Sequence, residues 1–592
     1  MSAQLSVNNL ITEHLDTWTQ AIETKSTAGR GSSNKLNLVG IQKLRELILE
    51  MAVRGLLVPQ DPNDEPASVL LEKIAAEKAQ LIKEGKIKKT KALPEIAEDE
   101  KPFDLPSGWE WIRLNDAYDV RDGTHDSPKA QQSGYPLVTS KNLSSGKLDL
   151  TDIKYISEQD HLKIQDRSKV DLGDILFAMI GSIGNPVIVD IPDEFSIKNV
   201  ALFKYYRADL ASPKYLKNFL EHASVEMKEN AAGGVQSFVS LSFLRTFVIA
   251  LPPLEEQKRI VVKVDELMAL CDQLENETLN HIDTHQTLVS TLLGNLVNPE
   301  NTANFHQAWS LIAQNFDVLF TTENSIHQLK QTILQLAVMG KLVPQNPNDE
   351  PASELLKKIA AEKAQLIADK KIKKSKPLPA ITDDEKPFDL PNGWEWVRLQ
   401  EPTVYVQRGK GPKYADSGKV RVISQKCVQW SGFDISVARY VEDSSLEKYQ
   451  EERFLQKNDL LWNSTGTGTV GRVNVLSDIS EQLVADSHVT VIRPLKSDSN
   501  FIKCYLSSGA IQRRIEPDSE NPLVSGSTKQ VELNTSSVNS LPIPIAPLEE
   551  QKRIVAKVNE LMTLCDQLKT RLQTAETTQC HLAQSIAQEA LG

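Results

Sequence analysis

The sequence predicts an α+β protein in which two globular α/β domains are separated by long conserved helices. Three observations lead there. The 592-residue chain contains a long internal repeat, the repeated segments space their apolar residues as helices do, and the segments between them read as short strands closed by a helix. Length alone suggests about four domains of ordinary size. A hydrophobic content of 40% and a charged content of 25% fit a globular chain. No apolar run reaches 18 residues, so no membrane-spanning helix is expected. The first residues lack the basic-then-apolar pattern of a secretory signal. Cys271, Cys427, Cys504, Cys565 and Cys580 are scattered and form no CxxC pair, which predicts neither a disulfide framework nor a zinc ribbon and suits a cytoplasmic protein.

The repeat sets the boundaries. Residues 41–114 and 326–399 align without a gap, with 52 of 74 positions identical. A second repeat begins PLEEQKRIV at Pro253 and at Pro547. The chain therefore divides into an N-terminal helical extension and linker (1–40), a first conserved helical region (41–105), a first variable domain (106–253), a central conserved region (254–390), a second variable domain (391–547) and a distal conserved helix (548–592). The variable domains barely resemble each other. Drift alone would erode frame and insert alike, so the pattern implies one scaffold duty performed twice and two different readout duties.

The frame reads as helix. Proline at the entry of each second repeat and acidic residues just after it (Glu255, Glu256) are helix-start features. Ile260, Val264, Leu267, Cys271 and Leu274 then follow in steps of four and three, as do Ile554, Val558, Leu561, Cys565 and Leu568. Ile41, Leu44, Ile48 and Met51 repeat the spacing, as do Ile326, Leu329, Ile333 and Leu336. Such seams need a partner, and pairing of helix on helix is expected. The stretches 69–82 and its copy lead into lysine runs, Lys83 to Lys91 and Lys370 to Lys376, which suit either a solvated linker or phosphate contacts. For residues 1–40 an amphipathic helix and a Gly/Ser linker at 29–33 are expected.

Each variable domain alternates short apolar strands with turns. The strands are 174–180 and 185–191 in the first, and 459–464, 472–476 and 488–494 in the second, with closing helices at 212–223 and 500–515. The sequence GTGTVG at 466–471 matches a dinucleotide fingerprint, but a strand rather than a helix follows it, so a hairpin turn is expected there and at 181–184. His281 and His285 lie four apart without the glutamate a zincin requires or a third ligand. There is no P-loop, no nucleophile elbow and no Asn-Pro-Pro-aromatic tetrad. Acidic groups such as Asp193 with Glu194, or Asp518 with Glu520, lack convincing spacing. No catalytic or metal site is expected.

Nucleic-acid signals lie in loops. Candidate contacts in the first variable domain are Arg121, Thr124, His125, Lys129, Ser140, Lys141, Asn142, Gln236 and Ser237. In the second they are Gln407, Arg408, Lys410, Lys413, Gln425, Lys426, Lys529 and Gln530. These are donors and acceptors of the types that meet phosphates and base edges. The overall charge of −12 argues against a simple basic DNA binder, although residues 397–545 are near +1 and residues 115–250 near −3.

The arrangement as a whole resembles the specificity subunits of type I DNA restriction–modification enzymes. GWEW-x-RL precedes each variable domain and PLEEQKRIV follows it, while DLGDILF…GSIG (171–184) and KNDLLW…TGTGTVGR (457–472) fit that family's variable domains. The resemblance covers the chain beyond residue 40. It implies two target recognition domains, each reading half of a bipartite double-stranded DNA target. It implies that the conserved helices pair as an antiparallel coiled-coil rod with an internal pseudo-two-fold repeat. The rod sets the spacer and docks two methylation subunits, with Ile260, Val264, Leu267, Leu274, Ile554, Val558, Leu561 and Leu568 on the interface helices. Adenine-N6 methylation from S-adenosylmethionine, and ATP- and Mg2+-dependent cleavage, would belong to the methylation and restriction subunits, with no cofactor bound by this chain. The alternative is a two-module adaptor on a helical rod that binds no DNA.

Overall fold

A computed structural model of the chain describes residues 7–25, 35–89, 91–229, 231, 237–298, 302–466, 468–477, 479, 481–527 and 530–591. It divides into two compact units, 1–280 with 575–592, and 281–574. This division cuts through the central conserved region and the distal helix, both of which contribute to each unit.

In the first unit, strand Glu110–Arg113 pairs antiparallel with Val248–Leu251, stitching the two ends of the variable domain together. Between them lies a four-stranded antiparallel sheet in the order Asp119–Asp122, Val200–Lys204, Ile175–Ala178, Gly184–Ile188. A three-stranded sheet holds Tyr135–Val138 between Lys154–Ile156 and Ser196–Ile197, the latter pair parallel. Helix Pro213–Glu229 buries Tyr215, Leu216, Phe219 and Leu220 in the same core as Phe177 and Phe203.

The second unit repeats this order. Glu395–Arg398 pairs with Pro542–Ile545. Its four-stranded sheet runs Thr403–Arg408, Val489–Pro494, Leu460–Asn463, Val473–Val475. Its second sheet runs Tyr414–Ala415, Arg439–Val441, Arg421–Ile423, Leu483–Ala485, again with the last pair parallel. Two sequences that barely align thus share one strand order, the second adding an edge strand, Tyr414–Ala415, to its second sheet. The central strands explain how: Ile175–Ala178 and Leu460–Asn463 are buried along their whole length, so apolar bulk suffices there. Both glycine-rich segments connect adjacent antiparallel strands, as hairpin turns do.

The frame is helical throughout. In the first unit, helix Val39–Val53 buries Ile41, Leu44, Ile48 and Met51 in one core with Ile260, Val264, Leu267, Cys271 and Leu274 of a 44-residue helix, Leu254–Val297. In the second, helix Glu323–Val338 contributes Ile326 and Ile333 to a core shared with Ile554, Val558 and Cys565 of the 42-residue helix Leu548–Glu589. These helices run well beyond the seams read in the sequence, which end at Leu274 and Leu568. In the first of them no glycine or proline falls between Glu275 and Leu293, and from Glu275 to Leu288 no side chain is fully buried before Val289, Leu293 and Leu296 return to a core.

The N-terminal segment is more than a helix and a linker. Helices Val7–Glu13 and Leu15–Gln20 precede an antiparallel hairpin, Glu23–Lys25 with Lys35–Asn37; the Gly/Ser stretch 29–33 lies outside the described residues. The helix pair has a counterpart in Thr302–Gln314 and Phe316–Leu319. His14 and Asn315, at the two breaks, have nearly the same backbone (φ −118°, ψ 24° and φ −120°, ψ 24°). Leu10, Ile11 and Trp18 join a core with Ala583 and Ile586, while Ile312, Leu319 and Phe320 join one with Val289 and Leu293. The hairpin lengthens the first copy, which displaces the alignment and hides the match.

Candidate nucleic-acid interface

Each variable domain is fixed to its helices by one set of polar contacts made twice. Trp109 Nε1 donates to Glu256 Oε2 at 3.0 Å, and Trp394 Nε1 to Glu550 Oε2 at 3.0 Å. Gln60 and Gln345 donate to the other carboxylate oxygen at 3.2 and 2.7 Å. Both carboxylates are buried, and burial raises their pKa above the ordinary glutamate value. Arg113 reaches Pro94 O, Glu95 O, Thr246 O and the Glu100 carboxylate; Arg398 reaches Pro379 O, Ala380 O, Ser540 O and Glu385 in the same way. The guanidinium beside Glu385 holds that carboxyl down at about 2. These contacts account for the repeated Trp, Arg, Glu and Gln. They tie the lysine-bearing segments to the strands that close each domain, leaving the lysines exposed.

The family-like motifs of the variable domains are also structural. Asp174 accepts from Asp171 N and pairs with Lys204 at 2.5 Å. Asp459 accepts from Gln456 N and pairs with Arg493 through both carboxylate oxygens at 2.7 and 2.8 Å. Burial raises both carboxyl pKa values against the pull of their cations.

Loops from separated parts of the sequence meet at one end of the sheets. In the first domain, Gly123 N donates to Val200 O and Thr124 N to Ile197 O, while Lys198 N donates to Val138 O beside the turn 139–142. Met179 N donates to Asn199 O, and Gly181 N to Ser237 O. The second domain repeats the scheme: Gly409 N to Val489 O, Lys410 N to Ala485 O, Asp486 N to Ile423 O, Ser464 N to His488 O. A Cβ on Gly123 would overlap the Ile197 carbonyl, and one on Gly409 the carbonyls of Ala485 and Asp486, so glycine permits both approaches.

About half of the sequence-predicted residues fall in these clusters. Thr124, His125, Ser140, Lys141 and Ser237 belong to the converging loops of the first domain, with Lys129 exposed farther along the same loop. Arg121 sits one step back on its strand, paired with Asp119 at 2.6 Å. Lys141 pairs with Asp152. Asn142 is buried, and its amide closes the turn, accepting from Thr139 N and donating to Asp149 O. In the second domain Lys410, Gln425 and Lys426 lie on the converging loops, Gln407 is exposed at the strand end, and Lys413 is exposed beyond it. Arg408 is engaged by Glu532 at 2.6 Å and by Leu533 O. Gln236, Lys529 and the Gln530 side chain lie outside the described residues. The eight seam residues on the long helices face the cores of their own units, fully or partly buried. Contacts with another chain would use the remaining faces of those helices.

Sequence reasoning missed Asn199, Asp486 and His488, which stand at the centre of the clusters. Each occupies a two- or three-residue link between apolar strands, too short to show compositionally. Asp486 is buried, accepts from His488 N at 2.8 Å, and has its carboxyl pKa raised by burial. Among the described residues, no three His, Cys, Asp or Glu side chains are grouped to hold a metal, and no helix is long and apolar enough to cross a membrane.

One frame, built twice, thus carries two loop faces of different chemistry. The family model for the type I restriction modification DNA specificity domain matches residues 106–284 and 391–577. The EcoAI type I specificity subunit of Escherichia coli is 40% identical over 620 aligned positions, covering 99% of this chain and 100% of the relative. The EcoEI specificity subunit of Escherichia coli is 39% identical, with the same coverage. The crystal structure of the HsdS subunit from Thermoanaerobacter tengcongensis aligns at 20% identity with a TM-score of 0.39, covering 83% of this chain and 98% of that one. The chain belongs to the specificity subunits of type I restriction–modification systems, and DNA recognition is its function; the adaptor alternative falls.

Proposed function

We propose that each variable domain reads one half of a bipartite double-stranded DNA target through its converging loops. The observation that carries this reading is the pairing of identical anchoring contacts and topology with different loop chemistry. Thr124 stands where the second domain has Lys410, and Lys198 where it has Asp486. One scaffold thus presents two unlike donor and acceptor patterns, as unequal half-sites require.

The two long helices act as an antiparallel rod. The start of Leu254–Val297 and the end of Leu548–Glu589 contribute to one core, and their opposite ends to the other, as antiparallel pairing demands. At about 1.5 Å per residue each helix spans about 60 Å, enough to hold two half-sites a DNA turn of about 34 Å apart. The chain itself carries out no chemistry. Two methylation subunits dock on the helices and supply adenine-N6 methylation from S-adenosylmethionine, and restriction subunits supply ATP- and Mg2+-dependent cleavage. Phosphate contacts supplied by those subunits would offset the net charge of −12 on this chain.

Selection from a random duplex pool by this chain co-purified with its methylation subunit tests the reading. Enrichment of two short motifs at a fixed gap is expected. Enrichment of a single uninterrupted motif, or of none, would overturn it.

A further inference from the structure

One backbone position is shared by the two loop clusters and carries a polar side chain in both. Val200 and Val489 are equivalent: each opens its strand opposite the end of the central strand (Ala178 and Asn463), and each carbonyl accepts from the glycine that ends the first strand. The preceding residues, Asn199 and His488, are therefore equivalent too. Each gives its carbonyl to the residue leaving the central strand, Met179 or Ser464.

Both side chains are oriented by a side chain from another loop. Asn199 Oδ1 lies 3.0 Å from His125 Nδ1, and His125 Nε2 lies 2.9 Å from the buried carboxylate of Asp122. His488 Nδ1 lies 2.7 Å from Thr465 Oγ1. Both ring nitrogens of His125 are thereby occupied, although the ring is 60% exposed. Its geometry is that of a positioning residue. Whichever way its amide is turned towards His125, Asn199 keeps an acceptor lone pair on Oδ1 and at least one amide proton, and His488 keeps Nε2.

Asn199 has φ +54°, a left-handed conformation that asparagine tolerates better than most residues. Backbone need alone does not explain the polar side chain. His488 is not among the described residues with positive φ, yet the position is polar there as well.

We propose that this position determines base specificity in both domains. Asn199 reads an adenine of the first half-site, accepting from N6–H through Oδ1 and donating to N7 through Nδ2. His488 contacts one base edge of the second half-site through Nε2. The inference rests on the reading that the loop face meets the major groove. Asparagine paired with adenine in this bidentate way discriminates roughly 5–150-fold against other bases.

The test uses the complex of the full chain with its methylation subunit, competed by duplexes substituted one base pair at a time. Asn199→Gly keeps a left-handed backbone accessible while removing the amide. It is expected to abolish discrimination at one adenine of the first half-site and to leave the second half-site unchanged. Asn199→Asp is expected to move the preference at that position toward cytosine, whose amino group a carboxylate accepts from. His488→Ala is expected to relax one position of the second half-site alone. Full wild-type discrimination in Asn199→Gly would overturn the inference, as would loss at every position of both half-sites together. A wild-type complex with no sequence preference would instead refute the proposed function itself.

Discussion

The buried contact between Trp109 and Glu256 gives a sharp test of how the domains are held. Glu256→Ala removes the acceptor of a buried indole N–H, while Gln60 keeps its 2.7 Å bond to Gly55 O. One buried donor left unpaired costs about 1–3 kcal/mol. At about 2 kcal/mol the local opening constant rises about 30-fold. Hydrogen exchange resolved by segment is the suitable assay, because a chain of two units need not unfold in a single step. Protection should fall about 30-fold around 55–60, 109–113 and 254–260, and stay unchanged around Trp394 and Glu550. The pH dependence has a defined sign. The folded pKa of Glu256 lies above its unfolded value of 4.5, so its contribution is complete below pH 4.5 and declines as pH rises through the folded pKa. Glu256→Gln lacks that decline and should cost more at pH 4 than at pH 7. Unchanged protection near Trp109 in the alanine variant, or equal losses in both units, would refute the reasoning.

Other consequences are equally specific. Asp459→Ala leaves Arg493, itself mostly buried, without its bidentate partner, and should destabilise the second domain by about 3–5 kcal/mol in calorimetry. Glu385 is held at about 2 by Arg398, so its contribution is present above pH 4.5 and lost as pH falls toward 2; Glu385→Gln should flatten that part of the acid-unfolding curve. Gly409→Ala forces a Cβ against the Ala485 and Asp486 carbonyls and should abolish recognition of the second half-site, read by competition binding, while first-half contacts persist.

The frame was legible because its residues repeat. The seam from Ile260 to Leu274 and the strands around Phe177 and Trp462 followed from period and apolar bulk, and both sets are buried. The loop stretches 121–129 and 139–142 were legible as loops, but not the occupation of their side chains. Asn142 reads as a reader and closes a turn; Arg408 reads as a free cation and meets Glu532, 124 residues away. Sequence spacing carries no information about such long-range pairings. The shared topology of the two variable domains was hidden for the converse reason. Buried strands tolerate any well-filling apolar residues, so identity decays while strand order persists. The N-terminal helix pair escaped because a hairpin displaces it from its copy.

The most direct test of the central claim is a base-resolution map of methyladenine in DNA from cells carrying the methylation subunit, with and without the gene for this chain. The account predicts a gene-dependent methyladenine in each half of one bipartite motif with a fixed gap. Methylation that is the same with and without the gene, in cells expressing both proteins, would contradict it.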